Sequence, residues 1–212
     1  MNSYKTIKGS AEASYEIQKS RFITHVSHAE SEGEAREFIQ QMKKKYFDAR
    51  HNCSAWVLGE KGAKQKSNDD GEPGGTAGNP ILEAIKKNGL TDIVIVVTRY
   101  FGGIKLGAGG LIRAYGHAAV LGIQAAQTVR MMPLRRVQIT VDYSLLATVE
   151  NWLRQNEIQS EEGTYAEQVT LPLLLPPETV EMRLAELTDL TSARFSYEMA
   201  EEILSAVPIE CS

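Results

Sequence analysis

The chain has 212 residues, 42% hydrophobic and 24% charged, with 17 glycines, a composition that excludes a disordered or collagen-like protein. Two cysteines, Cys53 and Cys211, are too few for a disulfide framework or a four-thiolate zinc site, and no charged-then-apolar leader is expected, so a reducing cytoplasm is the expected location. The longest apolar run, Ile93 to Val97, falls far below the roughly 18 residues a membrane-spanning helix needs, and no membrane partner is expected.

The net charge of −4 conceals two opposite halves. Residues 1–133 carry 18 Lys+Arg against 13 Asp+Glu, a charge of +5, whereas residues 134–212 carry 5 against 14, a charge of −9. Every lysine lies in the first part. The composition changes at Met131-Met132-Pro133, between a long helical pattern and a new strand pattern, and this places a domain boundary there.

In chain order, Tyr4 to Ser14 and Arg21 to Val26 read as extended segments able to pair as a hairpin, with Phe22, Thr24 and Val26 on one face. Ser31 and Glu34 form a capping box for a helix bearing Ala35, Phe38, Ile39, Met42 and Tyr46 at helical spacing and ending in Lys43-Lys44-Lys45. Those lysines complement the helix dipole as a solvated cap. Cys53 to Leu58 reads as a strand, followed by a polar segment whose turn formers, Asn68 to Gly75, predict a loop. Asn79 is the expected N-cap of a short helix that stops at Asn88-Gly89. The β-branched run Ile93 to Val97 predicts a strand covered on both faces at the centre of a sheet. After the glycine-rich segment Gly102 to Gly110, the residues Leu111, Tyr115, Ala118, Gly122 and Ala126 share one face of a long helix.

Beyond Pro133 the order is βαββαβ: a strand at Val137 to Val141, a helix capped by Ser144, strands at Ile158 to Glu161 and Val169 to Leu175, a helix at Glu178 to Leu187, and a strand through Ala193, Phe195, Tyr197 and Met199. Pro172 puts its strand at a sheet edge. The order matches a ferredoxin-like split βαβ unit.

The Gly102 to Gly110 loop is the sharpest candidate site. Glycines let backbone N–H groups turn toward an anion, and the helix that follows adds a favourable dipole; a tight structural turn is the competing reading. The spacing is neither Walker A nor the dinucleotide fingerprint. Arg99, Lys105 and Arg113 flank the loop and strengthen the case for phosphate. Asp69, Asp70 and Glu72 are candidate cleft carboxylates; they do not follow the EF-hand pattern, and a solvated loop competes with a metal or acid–base role. His51, His117 and the His25/His28 pair lack metal-ligand spacing and read as structural or surface residues. Cys53 reads as a small buried strand residue more than as a nucleophile. Tyr100-Phe101 offers base stacking beside Arg99, with core packing as the alternative. No metal or cofactor is called for.

Four strings, KSRFI at 19–23, RHNCSAW at 50–56, NDDGEPGGTAGNPIL at 68–82 and VVTRYFGGIKLGAGGLIRAYGHAA at 96–119, make the chain resemble the YigZ/IMPACT family (the UPF0029 group), in the form of its bacterial two-domain members. The resemblance implies an α+β protein. Residues 1–133 would form a ribosomal protein S5 domain 2-like domain. Residues 134–212 would form a ferredoxin-like domain resembling the C-terminal domain of elongation factor G. Adjacent domains of that factor have this pair of folds and work on the ribosome, so the implied partner is RNA or the ribosome, and eukaryotic relatives imply a link to translation regulation.

The first expectation is therefore a non-catalytic RNA- or ribosome-associated binding protein. Arg50, Arg99, Lys105, Arg113 and the backbone of Gly102, Gly103, Gly107, Gly109 and Gly110 would contact phosphate, with Tyr100 stacking. The acidic C-terminal domain would contact a protein or temper RNA affinity. Two alternatives stand: a protein-interaction scaffold, and an enzyme acting on a phosphorylated small molecule, with Asp69, Asp70 or Glu72 as metal ligand or base.

Overall fold

A computed structural model describes residues 3–209; Cys211 lies outside them. The chain divides into two compact units, built mainly from Tyr4–Met131 and Met132–Ser205. The expected boundary residues do not form a linker. They lie inside one long strand that contributes its first residues to one unit and its last to the other.

The first unit runs β1 (Tyr4–Lys8), β2 (Ser10–Ile17), β3 (Ser20–His28), α1 (Glu32–Lys45), β4 (His51–Leu58), β5 (Lys64–Asn68), α2 (Gly78–Lys87), β6 (Ile93–Tyr100) and α3 (Gly107–Ala125), then the start of β7 (Gln127–Val141). Five strands form an antiparallel sheet in the order β2-β3-β6-β4-β5. The β-branched strand β6 is its centre, as its composition predicts, and Ile93 through Val97 are fully buried. The N-terminal extended segment is two strands. β2 forms the hairpin with β3 through Gln18-Lys19, both at positive φ, the backbone a two-residue hairpin turn of the I′ type needs. β1 instead pairs with residues 127–131 of β7.

Strand alternation sorts β4 between two cores. Cys53, Ala55 and Val57 face a core shared with α2 and α3. Trp56 and Leu58 face a smaller one under α1, with Phe38 and Ile39 packed against it. The small residues of α3 allow close contact: a Cβ on Gly122 would stand 2.5 Å from the Thr24 side chain of β3. The capping box forms as expected, with Ser31 Oγ accepting from the Glu34 N–H at 3.2 Å. The polar stretch after β4 is not all loop, because Lys64–Asn68 pairs along β4. Its lysines suit an edge strand, where charge discourages further pairing.

The second unit contains the rest of β7, α4 (Tyr143–Gln155), β8 (Gln159–Ser160), β9 (Thr164–Tyr165), β10 (Val169–Leu175), α5 (Val180–Thr191) and β11 (Phe195–Pro208). This is the expected alternation, with one expected strand reduced to the short pieces β8 and β9. Val137, Ile139 and Val141 pack with Leu145, Val149, Trp152 and the β10 and α5 side chains in its core. Helix α4 starts one residue before Ser144, and no side chain caps it. The expectation for Pro172 is corrected: β10 is not an edge strand, since β7 lies on one side and β8 and β9 on the other. Pro172 falls between the residues paired with β9 and those paired with β8; its carbonyl accepts from the Glu161 N–H at 2.9 Å, and the reciprocal bond that it cannot donate lies where β8 ends. The protein is thus a mixed α+β chain of two units with antiparallel sheets.

Candidate functional site

The loop between β5 and α2 and the segment between β6 and α3 meet. Arg50, His51, Glu72, Pro73, Arg99, Phe101, Lys105, Leu106, Gly107, Ala108 and Leu111 line one cleft of about 330 Å³, within the size range of small-ligand sites.

The β5–α2 loop owes its shape to Asp69. Its carboxylate accepts from the backbone N–H groups of Gly75, Ala77 and Gly78 at 2.8, 3.0 and 2.8 Å. Burial raises the Asp69 pKa, but the three N–H donors outweigh it and hold the group below the ordinary carboxylate value. This corrects the expected cap of α2. The helix begins at Gly78, and Asp69 satisfies its first amides from outside, while Asn79 accepts from the Ser67 hydroxyl. Asp70 turns away and accepts from the Asn52 N–H and from Lys43. The lysine run at the end of α1 is therefore more than a solvated cap.

Of the three acidic residues only Glu72 lines the cleft. Its Oε1 accepts from Arg99 Nη1 at 2.8 Å and from the Tyr115 hydroxyl at 2.7 Å. The Arg99 and Glu72 side chains are 7% and 4% exposed, and the guanidinium lies 5.7 and 5.5 Å from the ring centroids of Phe22 and Phe101, close enough for cation–π attraction. Arg99 Nε is buried without a hydrogen-bond partner among the described residues. Tyr115 in turn accepts from the Cys53 thiol at 3.4 Å. Burial pushes the Cys53 pKa up to about 12 and raises that of Tyr115 far above its usual value, so Cys53 is a protonated structural thiol and not a nucleophile.

Helix α3 starts at Gly107, inside the expected glycine loop, and no side chain caps it. Its first-turn N–H groups and positive dipole end are therefore open toward an anion. Gly102 has a different role. A Cβ there would lie 1.9 Å from the Lys19 carbonyl carbon, and the Gly102 N–H donates to Ser20 Oγ at 3.2 Å, so this glycine lets the chain pass against the β2–β3 turn.

Among the residues expected to bind anions, Arg50, Arg99, Lys105 and Gly107 line the cleft. Gly110 and Arg113 line a neighbouring depression with Tyr15, Gln18 and His117. Gly103 and Gly109 are exposed nearby and line neither. Tyr100 donates to Asp48 at 2.7 Å and is not in the cleft. The aromatic residue that is there is Phe101, 53% exposed. The sequence offers Tyr100-Phe101 together for stacking beside Arg99; of the two, Phe101 stands two positions from Arg99 at the end of β6, the spacing that puts side chains on one face.

Two family models match the chain: the Impact N-terminal domain over residues 18–123 and a domain of unknown function, DUF1949, over residues 139–194. The chain is 45% identical over 194 residues to the IMPACT family member YvyE of Bacillus subtilis, covering 92% of this chain and 89% of that one. It is 36% identical over 189 residues to the IMPACT family member YigZ of Escherichia coli, covering 88% and 93%. A crystal structure described as that of a hypothetical protein superposes with a TM-score of 0.61 at 34% identity, over 95% of this chain and 98% of that one. With both units matched and similarity running along most of its length, the chain belongs to the IMPACT family.

Proposed function

We propose that the protein is a non-catalytic, cytoplasmic RNA- or ribosome-associated binding protein linked to translation regulation. In this reading residues 1–133 form a ribosomal protein S5 domain 2-like domain that holds RNA phosphate in the cleft. Residues 134–212 form a domain like the last domain of elongation factor G that meets a protein partner or limits RNA affinity. One observation carries the proposal: Arg50, Arg99 and Lys105 share a cleft with the uncapped start of α3, an arrangement of cations and amides suited to phosphate. Phe101 stands in the same cleft with an exposed ring face on which a base can stack.

The enzymatic alternative finds less support. Asp69, Asp70 and Glu72 are held by different partners and do not converge, so they form no acid–base pair.

Filter binding of RNA or ribosomes across a salt series tests the proposal, because phosphate-driven binding falls steeply with salt. Arg50 and Lys105 are exposed, so the double variant Arg50→Ala/Lys105→Ala should fold and should flatten the salt slope by about two phosphate contacts. No binding at low salt, or a slope unchanged in the variant, would overturn the reading.

A further inference from the structure

A second cavity lies in the first unit between α1 and the β4–β5 pair. Its volume is about 350 Å³, and its lining is Arg36, Ile39, Gln40, Lys43, Ser54, Trp56, Lys66 and Asn68. Ser54 and Trp56 are 4% and 5% exposed and stand two positions apart on β4, so they point to the same side of the sheet. Lys66 is the cross-strand partner of Trp56, and Asn68 that of Ser54, and such pairs share a face.

The polar groups on this wall are unused. Among the described residues, neither Ser54 Oγ nor Trp56 Nε1 has a hydrogen-bond partner, and neither is among the side-chain atoms sealed from access. Both atoms are therefore open to the cavity and free to donate to a guest, and the space is large enough for a ligand. The chemistry of the space is one-sided: three cations border it, and no carboxylate does. Arg36 and Lys43 already hold Glu32 and Asp70. Lys66 has no ion-pair partner among the described residues, which leaves one positive charge uncompensated. The indole of Trp56 and the side chain of Ile39 supply an apolar wall.

We propose that this cavity binds a small monocarboxylate with a flat apolar body. The carboxylate accepts from Lys66, the Trp56 indole N–H and the Ser54 hydroxyl, while the body lies against Trp56 and Ile39. One uncompensated cation matches one negative charge, and the apolar wall favours an organic acid over an inorganic anion. The site is on the α1 side of the sheet, separate from the phosphate-binding cleft, and it stands or falls independently of the proposed function.

The test is a titration of the intact, nitrogen-15-labelled protein with 1-naphthoate, indole-3-acetate and 4-phenylbutyrate to about 1 mM, the weak-binding range. The chain has two tryptophans, so the side-chain indole signals are few, and Trp152→Phe assigns the one that remains. The expected result is a saturable shift of the Trp56 indole N–H with none at Trp152. The neutral naphthalene-1-carboxamide and the exposed-site variant Lys66→Glu should each weaken binding about ten-fold, the scale of a lost charge-assisted contact. The proposal is overturned if none of the three acids moves the Trp56 signal, if Lys66→Glu binds as well as the parent, or if inorganic phosphate alone produces the same shift.

Discussion

Arg99 in the first unit and Arg136 in the second each bind a carboxylate, and each has a buried Nε without a partner among the described residues, yet their surroundings differ. Arg99 meets Glu72 with both side chains almost wholly buried, and Tyr115 donates to the same oxygen. Arg136 reaches Glu161 at 2.7 Å and Glu201 at 3.5 Å, with the three side chains 27%, 39% and 74% exposed. Hydrogen bonding and the charge of Glu161 raise the Arg136 pKa, but water screens such pairs heavily. The first arginine is therefore built into the unit's interior, where loss of its partner strands a charge, while the second belongs to a surface ladder that tolerates loss.

This difference can be measured. Glu72→Ala should have the largest effect, about 3–5 kcal/mol of stability, because it leaves Arg99 charged and unpaired in the interior; urea unfolding of the first unit reads it directly. A cost below about 1 kcal/mol would place Arg99 in the same class as Arg136. Asp69→Ala should follow at roughly 1–3 kcal/mol, since three backbone N–H groups lose their acceptor. Because the folded protein holds the Asp69 pKa below its ordinary value, its contribution is complete above the unfolded carboxylate pKa and fades as pH falls through the lower folded value. The stability gap between parent and variant should therefore narrow in acid. Glu161→Ala should cost least, under about 1 kcal/mol, and added salt should shrink the difference further.

Much of the first unit was legible in its residues. Ile93 to Val97 is the central strand because β-branched side chains buried on both faces leave few other choices, and Ser31 caps α1 through a short-range pattern. The helix after the glycines also sits where its small residues place it. The start of α2 was not legible. Asn79-Pro80 has the look of a cap, but Asp69, eight and nine residues before Ala77 and Gly78, satisfies their amides across a folded loop. A longer separation, 27 residues, hid the pairing of Glu72 with Arg99, and with it the divergence of the three carboxylates. Pro172 misled in another way: the bond it cannot donate falls where the short neighbour β8 stops at Ser160, inside the sheet and not at a sheet edge. In the candidate cleft, Arg50, Arg99 and Lys105 are legible by charge, and of the stacking pair Tyr100-Phe101 the expected contact falls to Phe101, because the Tyr100 hydroxyl is engaged by Asp48.

The pairing of β1 with β7 bears on the order in which the protein is made. Tyr4 is opposite Met131, so the antiparallel ladder of β1 waits for a segment almost 130 residues further along the chain, although Lys5 is bridged earlier to Leu90. The β2–β3 hairpin can close early, but it too awaits β6 for its place in the sheet. Assembly that depends on such distant segments is slow and leaves unpaired edges open while it waits. The first unit can reach its native state only after residues 127–131 are in place, and the open edge of β1 is the part most in need of protection until then.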